Sequence, residues 1–233
     1  KARHELRTPV TNIKLRSEAL LGGASEDPAV AGRYLAEIDR EADRLGQLAS
    51  ELLDLSRLAE NRALQKAMEP VDLLPMLRAG AEATVQRASQ AGLTLHGDLP
   101  PALPILTVWP EQMEAVLVNL LDNAIKFTPA GGQVSLSAEA RGQSCRIQVA
   151  DSGPGIPAED LPYVFERFYR VDKARSRSDT QPGSSGAGLG LAIVKALLEQ
   201  NDGQVTAASQ PGQGTVFTIE LPLPSPFFDK ATP

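Results

Sequence analysis

The side chains best suited to reactive chemistry begin four residues into the chain, with His4-Glu5-Leu6-Arg7-Thr8-Pro9. An imidazole is a nucleophile, and Glu5 beside it can accept a proton from one ring nitrogen while the other attacks an electrophile such as phosphorus. On a helix, His4 and Thr8 stand one turn apart on the same face. Pro9 has no N–H to give to the carbonyl of Glu5, so the spacing predicts a bend just after the histidine. An exposed histidine near a ragged helix end fits the same six residues. His96, the other histidine, lies in the stretch Thr-Leu-His-Gly-Asp, which reads as a loop without an acid in helical register.

A second group is Asn119-Leu120-Leu121-Asp122-Asn123-Ala124-Ile125-Lys126-Phe127. At about 100° per residue, Met113, Val116, Leu117, Leu120, Leu121 and Ala124 form one apolar arc, with Asn119, Asn123 and Lys126 clustered just past its edge. An amide oxygen there can ligate Mg²⁺, which takes hard oxygen donors and keeps several waters, and the Lys126 ammonium can meet a phosphate as a point charge. An amphipathic helix with an amide-rich polar rim is the plainer alternative.

Two glycine-rich segments follow. Asp151-Ser152-Gly153-Pro154-Gly155-Ile156-Pro157 comes at the end of a strand-like run. A carboxylate there can accept a hydrogen bond from an exocyclic amine such as adenine's, and glycines let the backbone approach a flat ring; a turn without a ligand suits the same residues. Gly186-Ala187-Gly188-Leu189-Gly190-Leu191-Ala192-Ile193-Val194 leads into a helix whose N-terminal N–H groups would face an anion. A dinucleotide-binding turn looks similar, but these glycines come late and no βαβ run follows. Between the two segments, Val164-Phe165-Glu166-Arg167-Phe168-Tyr169-Arg170 concentrates aromatic residues in a chain that has few, at 4%. It reads either as part of the site or as an apolar patch under a long loop.

Two sets of elements must position these groups. Residues 1 to about 21 read as a helix, Gly22 to Pro28 as a turn with Ser25 or Asp27 available as a cap, and Ala29 to Met68 as a long second helix. Its apolar residues Ile38, Leu45, Leu48, Leu52 and Leu55 step by seven, three, four and three, a heptad seam. One hairpin cannot bury that seam, so two hairpins forming a dimeric four-helix bundle are predicted. After Glu69-Pro70 come strand-like runs interleaved with helices, the mark of an α/β or α+β domain. Helices are predicted over Leu73–Gln90, Glu111–Phe127 and Leu189–Gln200. Strands are predicted over Gln133–Ala140, Ser144–Asp151, Gln204–Ser209 and Thr215–Leu221, with Arg141–Gln143 as a hairpin loop. The polar stretch from Tyr169 to Gly186 has no periodicity and reads as a mobile loop, and the Pro-rich tail from Pro222 reads as frayed. The division falls at 1–68, the helical hairpin; 69–224, the α/β domain; and 225–233, a tail.

Composition narrows the classes. A net charge of −6 argues against a nucleic-acid surface. A single cysteine, Cys145, forbids an intrachain disulfide, which suits a reducing compartment. No apolar run reaches the roughly 18 residues needed to cross a bilayer. The opening Lys-Ala-Arg-His, without an initiator Met, reads as a piece of something longer, so any membrane attachment would come through segments ahead of it.

In sequence order, HELRTP, NLLDNAIKF, DSGPGIP, FERFYR and GAGLGLAIV resemble the H, N, G1, F and G2 boxes of sensor histidine kinases, from His4 to about Leu221. The resemblance implies a phosphoacceptor hairpin followed by a two-layer α/β sandwich of the Bergerat type, a mixed sheet with helices on one face, shared with gyrase, Hsp90 and MutL. It implies ATP and Mg²⁺, a homodimer, and a response-regulator receiver domain as partner. It also implies a cytoplasmic portion whose parent can be anchored in the inner membrane. Box by box, His4 would be the phosphoacceptor, Glu5 its base, and Thr8 the residue that orients a water for dephosphorylating the partner. Asn123 would ligate Mg²⁺, with Asn119 and Lys126 near the phosphates. Asp151 would read the adenine amine, with Gly153 and Gly155 shaping the base pocket. Phe165 and Phe168 would anchor a lid of about residues 170–185, and Gly186, Gly188, Leu189 and Gly190 would line the phosphate side.

Two positions depart from the family pattern: Arg3 where a small residue or Ser is common, and Asn201-Asp202-Gly203 where His-Gly-Gly is frequent. Two other functions fit parts of the chain. A gyrase- or MutL-type ATPase shares the nucleotide motifs but not HELRTP, and an inactive dimerisation scaffold sits poorly with intact His4, Asn123, Asp151 and glycines.

Overall fold

The computed structural model describes residues 2–60, 67–171 and 188–224. The chain divides into two compact units, Lys1–Arg62 with Glu166–Leu189, and Ala63–Phe165 with Gly190–Pro233.

The first unit is built on a helical hairpin, α1 (Ala2–Leu21) and α2 (Pro28–Glu60). Gly23 takes φ 110°, a conformation that suits glycine, and a 3₁₀ turn over Ala24–Glu26 follows. Of the two candidate caps, Asp27 is the one used: its Oδ1 accepts from the Ala29 N–H at 2.9 Å, with Pro28 at the first helical position. The helices are held in register by polar pairs spaced one turn apart on each. Asn12 Nδ2 donates to Glu41 Oε1 at 3.0 Å, Arg16 pairs with Glu37, and Arg16 Nη1 also reaches the Asn12 carbonyl at 3.3 Å. The hydrogen bond from Arg16 holds the Glu37 carboxyl below its usual range. Helix α1 runs unbroken through Pro9, which is buried. Ile38 and Leu45 of the predicted seam are half-buried, while the side chains of Leu48, Leu52 and Leu55 lie outside the described residues. Helix α2 is shorter than its periodicity predicted, since Ala67 and Met68 are not helical and Glu69 already belongs to a strand.

The second unit is a sandwich. Its elements run β1 (Glu69–Val71), α3 (Leu73–Gln90), β2 (Thr94–Asp98), β3 (Leu106–Val108), α4 (Pro110–Phe127), β4 (Gln133–Arg141), β5 (Ser144–Asp151), a 3₁₀ turn at Leu161–Tyr163, α5 (Gly190–Gln200), β6 (Gln204–Gln210) and β7 (Gly214–Pro222). Strands β1 and β3 pair antiparallel; the other five form one mixed sheet in the order β2-β4-β5-β7-β6, with β2 parallel to β4 and the rest antiparallel.

Alternation along the strands separates the two faces of this sheet. Val134, Leu136, Cys145, Ile147, Val149, Phe217, Ile219 and Leu221 are buried, as are Leu77 of α3, the apolar arc of α4 and Ile193, Leu197 and Leu198 of α5. Truncating one of these large side chains to Ala costs about 2–5 kcal/mol. Burial pushes the Cys145 thiol up to about 11. The opposite face is polar. There Glu139, Arg146, Glu220 and Gln204 are cross-strand neighbours in one row, with Arg146 Nη2 2.7 Å from Glu220 Oε1 and Gln204 Nε2 donating to Glu220 Oε2 at 2.9 Å.

Helix ends follow local chemistry. Asp72 caps α3 through the Leu74 N–H at 3.0 Å. The far end of α3 closes with Gly92 at φ 72° and the Leu93 N–H returning to Ala88 O at 2.8 Å, the six-to-one bond of a Schellman ending. Three predictions need correction. The Thr94–Asp98 stretch, including His96, is a strand and not a loop; as an edge strand with only Leu95 and no other residue half-buried, it shows no alternating pattern. Arg141 pairs with Ser144, so the hairpin turn is Gly142-Gln143, with Gly142 at φ 62°. Pro222 closes β7 instead of starting the tail, because it still pairs with Ser144. The remaining tail, 225–233, lies outside the described residues.

Candidate functional site

In the sandwich unit the site is organised around α4. All six residues of the expected arc are buried, from Leu120 at 0% to Met113 at 4% exposed, while Asn119, Asn123 and Lys126 sit half-buried along one edge. Asn119 Nδ2 donates to its own helix at Ala115 O, 2.8 Å away, which fixes the amide and directs Oδ1 outward. That oxygen meets the start of α5: a Cβ added to Gly190 would lie 3.0 Å from Asn119 Oδ1. The Lys126 ammonium rests 5.3 Å from the centre of the Phe127 ring. Helix α5 begins at Gly190, one residue later than its sequence predicted.

Asp151 ends β5, as expected. Its Oδ1 accepts from the Gly153 N–H at 2.8 Å, and the backbone of Thr215 also bonds it. Burial nevertheless outweighs these bonds and raises the carboxyl above its ordinary value. Gly153 has no room for a side chain, since a Cβ would stand 2.7 Å from Asp151 Oδ1 and 2.9 Å from the Phe127 carbonyl. The carboxylate loop is thus packed on the C-terminal end of α4. Ser152 ties it to β4 as well, with its Oγ accepting from the Gln133 N–H at 2.8 Å.

The turn between β6 and β7 supports this loop, a role local sequence does not reveal. Gly155 (φ 71°) lies against it so closely that a Cβ would fall 2.1 Å from Gln210 O. Gly212 N–H donates to Pro154 O at 2.7 Å, and Ile156 N–H to Ser209 Oγ at 2.8 Å. Gly214, at φ 88°, would place a Cβ 1.8 Å from Asp151 O. The Pro211-Gly212-Gln213-Gly214 run announces a turn, but only the β5–β7 pairing brings it beneath Asp151. Phe165 stacks edge-on against buried Phe217, centroids 6.2 Å apart at 78°.

The other expected residues belong to the helical unit. Phe168 holds φ 64°, an uncommon conformation for a bulky residue and one found where surrounding structure enforces it. Its N–H donates to Gly188 O at 2.9 Å, and Gly188 (φ 74°) would carry a Cβ only 2.6 Å from Tyr169 O. The aromatic box and the glycine turn are therefore joined backbone to backbone. Leu189 is fully buried. Thr8 is exposed on α1, one turn from His4. The backbones of His4 and Glu5 are helical, but their side chains lie outside the described residues, as do Gly186 and positions 172–185 of the expected lid.

The donor set suits a nucleotide with a hard cation. Among the described residues no group of three or more His, Cys, Asp or Glu could hold a metal. A Mg²⁺ here would take an amide oxygen such as that of Asn123 with phosphate and water oxygens, the arrangement Mg²⁺ favours. No helix among the described residues is long and apolar enough to cross a membrane.

Known proteins share this arrangement. A family model described as the His Kinase A (phospho-acceptor) domain matches residues 1–61, and one described as the histidine kinase-, DNA gyrase B-, and HSP90-like ATPase matches residues 110–225. The sensor-like histidine kinase SenX3 of Mycobacterium tuberculosis is 40% identical over 219 residues, 94% of this chain and 52% of its own. The chain spans about half the length of the curated relatives it matches. Among solved structures, the mycobacterial sensor histidine kinase MprB is 30% identical with a TM-score of 0.55, covering 68% of this chain and 99% of that one. Full-length ShkA in complex with AMPPNP is also 30% identical, with a TM-score of 0.67 over 92% of this chain and 46% of that one. With a phospho-acceptor hairpin, an ATPase-type sandwich and relatives of this kind along nearly its whole length, the chain belongs to the sensor histidine kinases.

Proposed function

We propose that the chain is the transmitter core of an ATP-dependent protein-histidine kinase. The observation that carries the proposal is the union, in one chain, of a phospho-acceptor hairpin and an ATPase-type sandwich. His4 attacks the γ-phosphorus of ATP in line; an N–P bond forms, the bond to the bridging oxygen breaks, and ADP leaves. Glu5 takes the proton from the second ring nitrogen. The phosphoryl group then passes to an aspartate of a response-regulator receiver domain, and Thr8 orients a water for the reverse task of dephosphorylating that partner.

Asp151 accepts a hydrogen bond from the adenine amine, and Gly153 and Gly155 allow the ring to lie close to the backbone. Asn119, Lys126 and the turn of Gly186, Gly188, Leu189 and Gly190 face the phosphates, with Phe165 and Phe168 anchoring the lid. Asn123 would hold Mg²⁺, which neutralises phosphate charge when bound. The AMPPNP bound to ShkA, a similar protein, supports the nucleotide assignment. Two copies pair through the hairpins; Val10, Leu15, Leu21 and Leu35 are each more than half exposed, apolar surface that a second hairpin can cover. The division at 1–68, 69–224 and 225–233 belongs to the same proposal, as does a cytoplasmic position for this part of the parent.

Incubation with γ-labelled ATP tests the proposal directly. Label should enter the protein, survive base and be lost in acid, as phosphohistidine is, and His4→Gln should abolish it while leaving ATP binding intact. Label that persists in His4→Gln would refute the assignment.

A further inference from the structure

Asn201, 1% exposed, follows the last residue of α5 and uses both ends of its side-chain amide. Its Oδ1 accepts from the Trp109 N–H at 2.8 Å, and its Nδ2 donates to Gln112 Oε1 at 2.7 Å and Leu197 O at 2.8 Å. Gln112, itself buried, donates onward to Gln200 Oε1 at 3.0 Å. Trp109 is the N-cap residue of α4 and makes no side-chain cap of its own. One amide thus joins the first turn of α4 to the last turn of α5. The two helices pack antiparallel, because the opposite end of α5, at Gly190, lies against Asn119. From Gly190 to Asn201 the helix rises about 16 Å, and from Trp109 to Asn119 about 15 Å. The amide clamp and the glycine contact are therefore the two ends of a single helix–helix seam.

We propose that Asn201 is a positioning residue for the nucleotide site: it fixes the register of α5 against α4 and so keeps Gly190 on Asn119. The inference rests on the function proposed above for that site. Gly190 packs closely there, since the Asn119 amide oxygen lies only 3.0 Å from where a Cβ would be. The end of α5 is closed beside Asn201: Asp202 takes a left-handed φ of 54°, which aspartate adopts more readily than most residues, and the Gly203 N–H donates to Leu198 O at 2.8 Å. Histidine, frequent at this position in the family the motifs resemble, offers one acceptor and one donor nitrogen. It can replace the Trp109 bond and one of the two donated bonds, whereas leucine of similar size replaces none.

The test compares the full chain with Asn201→Leu, Asn201→His and a control, Leu93→Ala. Leu93 is buried beyond the end of α3 and belongs to neither helix of the seam. Two quantities are read at a temperature where every variant is folded: the Kd for Mg²⁺-AMPPNP by calorimetry, and the NMR positions of the Asn119 side-chain amide and the Gly190 N–H without nucleotide. Asn201→Leu should weaken binding about tenfold and move both resonances, Asn201→His should restore both to near the parent, and Leu93→Ala should lower only the Tm. Unmoved resonances in Asn201→Leu would overturn the proposal, as would a loss of affinity no greater than in the control. Failure of the unmodified chain to bind AMPPNP would instead refute the functional proposal, and the resonances would still decide whether Asn201 sets the seam.

Discussion

Replacing Asp151 by Asn separates the carboxylate's two effects, on stability and on recognition. In the unliganded fold, burial raises the Asp151 carboxyl even though Gly153 and Thr215 donate to it. The native state therefore holds this proton more tightly than the unfolded chain. Stability falls as pH rises from the ordinary aspartate value through the raised one, and the penalty remains at neutral pH. Asparagine cannot ionise, and its Oδ1 can still accept from Gly153, so Asp151→Asn should melt at or above the parent temperature at pH 7. The difference should close below the window. Nucleotide binding should move the opposite way. A hydrogen bond from an amine to a charged acceptor contributes about 1.5–3 kcal/mol, roughly 10- to 150-fold in Kd. The discrimination test is sharper still. Guanine has a carbonyl oxygen where adenine has its amine, so the parent should prefer ATP over GTP and the asparagine variant should lose most of that preference. Calorimetric titration with each nucleotide, beside melts from pH 4 to 8, supplies the numbers. An Asp151→Asn protein that binds ATP within about threefold of the parent, with its ATP-to-GTP ratio unchanged, would refute the adenine-reading role.

Thr8→Ala should leave label entry into His4 within a few-fold and slow dephosphorylation of a purified phospho-receiver by about tenfold, the loss of one hydrogen bond of about 1.4 kcal/mol in the transition state. Asn123→Ala should do the reverse, and equal damage to both rates by Thr8→Ala would make Thr8 a structural residue. Replacing Leu48 and Leu52 together by Glu would bury like charges in the predicted seam at several kcal/mol each; light scattering should then report monomers, and a persistent dimer would place the seam elsewhere. Gly155→Ala forces a left-handed alanine against Gln210 O and should cost about 2 kcal/mol or more; an unchanged Tm with normal AMPPNP binding would show that the loop does not need its contact with the β6–β7 turn.

Much of this is legible in the sequence alone. The edges of α3 and β5 match the sequence prediction residue for residue, because Asp72 and the glycines beyond each element punctuate them. The α4 arc is equally plain, since its apolar residues from Met113 to Ala124 recur with helical period over about three turns. What was not legible is non-local or too short. Strand β2 is an exposed edge without alternation, and β1 and β3 span three residues each, too few to establish a period. The support that Ser209, Thr215 and the Gln210–Gly214 turn give to Asp151 depends on strand order in the sheet. In the sequence Asn201 stands out only as a departure from His-Gly-Gly; its bonds to Trp109 and Gln112 span 92 and 89 residues of chain.

Cys145 offers a practical consequence. It is the chain's one thiol, fully buried in the sheet and pushed up to about 11. The thiolate is the form that reacts, and at pH 7 its fraction is about 10⁻⁴ even before shielding is counted. Maleimides should therefore pass it by in the native protein, so a cysteine introduced at an exposed position will carry a fluorophore or spin label alone, with no need to remove the natural one. Run the other way, alkylation of Cys145 in unmodified protein becomes a clock for opening of the sandwich. The helical hairpin has no thiol, so its own fraying adds nothing to the signal, and nucleotide should slow the clock in proportion to how much it stabilises the unit that binds it.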